Sequence, residues 1–123
     1  MSAIAHMVMW KLNGATAQVR HAQAQDLAQG FEAMRGKVAG LLHLEVGANR
    51  IDTTDACDLA LYMVFESRRA LEAYNAHPEH LKIKARMTPL RMAKSQAAFE
   101  LASYCEFRNS CHYPRVACIQ QAA

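Results

Sequence analysis

The stretch from Ala3 to Leu12, AIAHMVMWKL, is apolar at nearly every position and constrains the fold more than any other part of the chain. Side chains alternate across a strand, so Ile4, Val8 and Trp10 share one side with His6, while Met7 and Met9 take the other. A strand with one face in water alternates apolar with polar residues; this one needs cover on both faces. Asn13 and Gly14 then break it.

Further along, residues 15–36 carry Val19, Leu27, Phe31 and Met34 at roughly helical spacing, with Arg20, Asp26 and Glu32 between them and Gly36 as a stop. This predicts an amphipathic helix, with Gly30 inside it. Residues 41–48 (LLHLEVGA) and 58–66 (DLALYMVFE) predict two strands, joined by the polar stretch 49–56 as a long hairpin loop. Their inward faces are read as Leu42, Leu44, Val46 and Leu59, Leu61, Met63, Phe65, with Tyr62 facing the opposite way. Ser67 is placed to cap a second helix through Leu71 and Tyr74. Pro78 has no N–H and disfavours helical geometry at His77, so the second helix stops there and a third begins, carrying Leu81, Met87 and Leu90. A short strand over residues 95–101 completes the set.

The order β, α, β, β, α, (α), β matches an α+β ferredoxin-like subunit, in which helices pack on one face of a four-stranded antiparallel sheet. That leaves one face of the sheet bare, and since the first strand is apolar on both sides the bare face is apolar whichever it is. A bare apolar face is an association surface, and two sheets closing against each other about a twofold axis is the simplest cover, so a homodimer is expected. A lid formed by the C-terminal tail is the competing cover. The domain is taken as residues 1–101, with 102–123 as an extension of unassigned role.

A chain of 123 residues suits one domain, and 52% apolar with 20% charged residues is a globular composition. The net charge of +3, with no aromatic-rich basic stretch, argues against nucleic acid. No apolar run approaches the length needed to cross a bilayer, and the first residues show neither a basic region ahead of an apolar core nor a small-residue cleavage site, so the expected location is cytoplasmic. Of the four cysteines, Cys105, Cys111 and Cys118 lie in the last 19 residues and Cys57 stands apart, which is not a disulfide framework for the body of the protein.

The candidate chemistry sits at the corner His77, Pro78, Glu79, His80, with Tyr74 on the helix before it. An imidazole titrates near neutral pH and can remove a proton next to a carbonyl, while a tyrosine hydroxyl can hold the developing oxyanion. His80 follows Tyr74 by six positions, so the two converge only if the helix axis turns at the proline. The structural alternative for His77 is a capping or turn residue, and for His80 a first-turn residue bonded to backbone or water. His6 is either a satisfied core group or a polar point in an apolar cavity. Trp10, Tyr62 and Phe65 read first as packing residues; Trp10 shares the His6 face and is a candidate lining residue.

Taken together, HMVMWKL (6–12), GKVAGLLHLEVGANR (36–50), DLALYMVFESRRALEAYNAHPEH (58–80) and AAFEL (97–101) resemble the stress-responsive A/B barrel family, the Dabb domains. The resemblance covers about residues 2–101 and implies ferredoxin-like subunits paired into a dimeric α/β barrel. Some similar plant members are polyketide cyclases that close a linear polyketide by an aldol-type condensation. The resemblance implies His80 as general base, Tyr74 beside it, and His6 as the first-strand histidine of the family. A further histidine that those cyclases carry early in the third strand is Leu59 here, so their pocket is not fully reproduced.

No metal or cofactor is expected. HxxH around a proline is not the helical i, i+4 pair of a zinc protease, nothing nearby supplies a third ligand, and the tail spacing Cys105, Cys111, His112, Cys118 is not a zinc knuckle. The cations Lys82, Lys84, Arg86, Arg91 and Lys94, with no acid among them after Glu79, read as a solvated helix face, against the alternative of an anion-attracting pocket mouth. The leading functional reading is a dimer that binds a small, mostly apolar carbonyl compound in the barrel, with His80 and Tyr74 as catalytic residues in cyclase-like proton transfer and His6, Trp10 and His77 as ligand contacts. Its alternative is a non-enzymatic stress-response or interaction protein, and a weaker one a cofactor-free monooxygenase, by architecture alone.

Overall fold

A computed structural model describes residues 2–102 of the chain. Seven elements follow in order: β1 (Ile4–Leu12), α1 (Ala17–Glu32), β2 (Leu41–Ala48), β3 (Leu59–Phe65), α2 (Arg68–Asn75), α3 (Pro78–Met87) and β4 (Arg91–Glu100). The strands form one antiparallel sheet in the order β2, β3, β1, β4, and the fold is ferredoxin-like with one extra helix. The C-terminal extension, apart from Ala102, lies outside the described residues.

Each helix starts where a side chain replaces a missing backbone partner. The Val19 N–H donates to Oγ1 of Thr16 at 3.1 Å, and the Ala70 N–H donates to Oγ of Ser67 at 3.1 Å. Helix α1 buries Ala24, Leu27 and Phe31. Val19, expected on that stripe, is instead 46% exposed. It precedes Ala24 by five residues, which sets it about 140° around the helix from the buried row. Gly30 permits close helix packing, since a Cβ there would stand 2.5 Å from Cδ1 of Ile83 on α3.

Between these helices and the sheet lies the core, with Leu27, Met34, Leu44, Leu59, Met63 and Phe65 all sealed from solvent. The inward face of β3 is the expected one. On β2, Leu41 rather than Leu42 packs against the core, because the pairing register shifts between Leu41 and His43. On α3, Ile83 and Met87 are buried whereas Leu81 is 51% exposed.

The final strand starts at Arg91, earlier than expected, and all ten of its residues are exposed. It is an edge strand paired to β1 alone, so it lacks the alternating apolar pattern by which a strand is read from sequence. Among the described residues no helix packs on the opposite face of the sheet. Met7 (41% exposed), Met9 (42%) and Phe99 (47%) lie open on it.

Candidate functional site

The break predicted at Pro78 turns one helix into two, and its local chemistry places the side chains of the site. His77 is the N-cap of α3: its Nδ1 accepts a hydrogen bond from the Glu79 N–H at 3.0 Å, with Pro78 next in the first turn. His80, one turn in, reaches back to α2, where its Nδ1 lies 3.0 Å from the Asn75 carbonyl oxygen. A carbonyl can only accept, so His80 Nδ1 carries the proton and Nε2 is left with the free lone pair. The turn of the axis brings Tyr74 and His80 together, ring centroids 4.6 Å apart.

His6 reaches the same place from β1, its ring centroid 6.4 Å from that of Tyr74. The three residues line one cavity of about 220 Å³ between the sheet and the helices, with Val8, Trp10 and Ile83 among its apolar walls. Trp10 is both a wall and a packing residue, 5% exposed and stacked on Phe31 at 5.5 Å between ring centroids. His77 is absent from the lining, because its ring is occupied in capping. Of the two readings of His77, the capping role is the one its hydrogen bond displays. The cavity lies under the helices of a single subunit rather than in the space between two paired sheets, because His6, Val8 and Trp10 face the helical layer and Met7 and Met9 face away.

Electrostatics hold the groups in defined protonation states. Burial lowers the His80 pKa from its ordinary 6.5, and the Lys84 and Lys94 ammonium groups add to this, together outweighing the Asn75 carbonyl, which pulls it upward. Burial first, then Lys94 and His80, lowers that of His6 in the same way. Burial pushes the Tyr74 hydroxyl well above its usual range, keeping it a hydrogen-bond donor. Nδ1 of His6 is buried with no hydrogen-bond partner among the described residues. An orphan of this kind costs about 1–3 kcal/mol unless something in the cavity satisfies it. Together these groups offer a neutral imidazole that can accept a proton and a phenol that can donate to an oxyanion, inside apolar walls.

The basic run, read first as a solvated helix face, divides between the cavity and the surface. Lys84, Arg91 and Lys94 all line it, whereas Lys82 and Arg86 of the same basic run are held elsewhere, by Glu79 at 3.5 Å and Asp26 at 2.7 Å. Leu59 is 1% exposed, opposite Trp10 in the ladder, and contributes to the core rather than to the lining. Among the described residues no group of three or more His, Cys, Asp or Glu is gathered that could hold a metal ion, and no helix is long and apolar enough to cross a membrane.

A ferredoxin-like sheet with a histidine-lined cavity beneath its helices defines the class of the protein: a small α+β domain of ferredoxin-like fold. The stress responsive A/B barrel domain model matches residues 4–102, and the chain belongs to that family. No curated protein matches it significantly. Among solved structures, a dimeric protein of unknown function and ferredoxin-like fold from Bacteroides fragilis is similar at 20% identity, covering 82% of this chain and 98% of that one, with a TM-score of 0.73. The hydroxynitrile lyase from Passiflora edulis is similar at 12% identity over 85% of this chain and 97% of its own, TM-score 0.68. SnoaB, a cofactor-independent oxygenase from Streptomyces nogalater, matches at 12% over the same shares, TM-score 0.63. At these identities the likeness carries the fold alone, and the fold hosts more than one chemistry.

Proposed function

We propose that this protein binds a small carbonyl compound in the cavity beneath its helices and moves a proton on it, with His80 Nε2 as base and the Tyr74 hydroxyl donating to the carbonyl oxygen as negative charge develops there. The observation that carries this reading is the convergence of His6, Tyr74 and His80 on one cavity, with the His80 tautomer set by Asn75. His6, whose buried Nδ1 has no protein partner among the described residues, is the second polar contact for the bound molecule. Leu59 removes the cyclases' further histidine from the set, so the reaction class is acid-base transfer at a carbonyl in general rather than their particular ring closure.

The working unit is proposed to be a homodimer closed through the open sheet face. Support comes from Met7, Met9 and Phe99 on that face and from the dimeric state named for the Bacteroides fragilis protein.

A thermal-shift screen of small ketones and aldehydes against the wild type and His80→Ala tests the reading, because a ligand of the folded state raises its melting temperature with occupancy. A shift in the wild type that is lost in the variant is the expected result. A shift of equal size in both proteins would place the ligand elsewhere, and no shift with any compound would favour the non-enzymatic reading of the fold.

A further inference from the structure

Three cations face the cavity, and among the described residues none has a counter-ion. Lys84 comes from α3, Arg91 and Lys94 from β4, and no Asp or Glu of the described residues lines the cavity with them. None of the three has a carboxylate within 4.0 Å among the described residues, although their neighbours Lys82 and Arg86 are paired.

Their placement is built into the strand. Arg91 and Lys94 are three residues apart, an odd spacing that puts two side chains of a regular strand on opposite faces. The ladder shows why both line the cavity: Lys11 pairs with Ala93 while the next residue, Leu12, pairs with Arg91, leaving Met92 as an extra residue on β4. A bulge of this kind re-aims the side chains beside it. Past the bulge, Lys94 and Gln96 stand across from Trp10 and Val8 on the helix-facing side.

Three positive groups held together without an acid repel one another, and an anion among them removes that cost. Repulsion is already felt at Lys94, whose pKa is lowered by burial and then by Arg91 and Lys84. The same cavity is lined by the apolar Val8, Trp10, Leu61 and Ile83 and by His6, Tyr74 and His80. A ligand that satisfies both the cations and these groups has an anionic end and a carbonyl-bearing apolar end. Since a cavity of about 150 Å³ holds benzene, 220 Å³ holds such a ring with about three further heavy atoms before the ligand emerges at the cations.

We infer that the ligand is a small carboxylate-bearing carbonyl compound, its carboxylate held by Lys84, Arg91 and Lys94 and its carbonyl directed to Tyr74 and His80. This rests on the proposed carbonyl site and adds the charge of the substrate. Arginine can grip a carboxylate through two parallel N–H donors, with the lysines contributing charge and further donors.

The test is calorimetric titration of the full chain with para-acetylbenzoate and with para-acetylbenzamide, which share a ring and a ketone and differ in charge. The carboxylate is expected to bind about tenfold more tightly at low ionic strength, the scale of one charge-assisted hydrogen bond. That preference should fall several-fold in Lys84→Gln and in Lys94→Gln, shrink with added salt, and persist in Lys82→Gln, which removes an equal charge outside the cavity. Equal affinity for the two compounds, both lost in His80→Ala, would overturn the anion inference and leave the carbonyl site standing. Affinities for both compounds that survive His80→Ala and Tyr74→Phe unchanged, with the carboxylate preference kept, would uphold the anion site and remove the carbonyl site. Failure of para-acetylbenzoate to bind, or an effect of Lys82→Gln as large as that of Lys94→Gln, would overturn the inference.

Discussion

His77 and His80 stand three residues apart at one corner and use the same ring atom in opposite senses. Nδ1 of His77 accepts from the Glu79 N–H, and Nδ1–H of His80 donates to the Asn75 carbonyl, each at 3.0 Å. The two neutral rings are therefore held in opposite tautomers, one building the corner and the other presenting a free nitrogen.

This division predicts separable phenotypes. His77→Ala removes an N-cap and should cost about 1 kcal/mol of folding stability, most of it restored by His77→Asn, as read from urea midpoints. His80→Ala should change stability less and abolish the ligand-induced thermal shift. A ligand response lost in His77→Ala yet kept in His80→Ala would reverse the assignment.

Acid should destabilise the protein through the cavity histidines. Folded-state pKa values of His6 and His80 lie below the ordinary 6.5, so below that pH the unfolded chain binds more protons than the folded one. Their contribution to stability is complete above about 6.5 and is lost as pH falls toward and through the lowered folded values. Urea unfolding at a series of pH values should show this decline, with a shallower slope in His6→Gln. An unchanged slope in that variant would exclude His6 as a source.

Gly40 is the backbone position least tolerant of a side chain. Its φ is +82°, and an added Cβ would meet the Cβ of Ala70 at 2.6 Å. Gly40→Ala should lose about 2 kcal/mol or more, combining left-handed strain with a contact that no side-chain rotation relieves. Gly36, with φ of +83° and open space around it, isolates the strain: Gly36→Ala should lose less. Equal losses in a denaturation series would show that the Ala70 contact carries no cost.

For the sheet face, Met9→Asp is expected to leave the subunit folded and weaken its pairing, since the side chain is already 42% exposed in the single chain. Light scattering should give about twice 13.7 kDa for the wild type at micromolar concentration and a lower mass for the variant. A monomeric wild type would refute pairing through this face.

Much of the fold was legible because its apolar periodicities are strong. Residues 41–48 and the inward row Leu59, Leu61, Met63, Phe65 follow from alternation, and Ser67 acts as the expected cap of α2. The start of β4 was hidden because an edge strand open on both faces has no buried row to announce it. The convergence of Tyr74 with His80 followed from the proline; the cations did not, because only the extra residue at Met92 turns Arg91 and Lys94 to one side. Nor could spacing alone tell which side of the sheet His6 would line, since both faces of β1 are apolar.

The pairing of β1 with β4 also bears on how the cavity comes into being. The strand bearing His6 is made first and the strand bearing Lys94 last, and they meet only through a ladder joining Ile4 with Glu100. Contacts so distant along the chain form late, and on the ribosome the pocket stays unfinished until nearly the whole domain has emerged. Until then β1 offers an open edge and two apolar faces at once. The segment most dangerous to a nascent chain thus becomes, on completion, the central wall of its binding site.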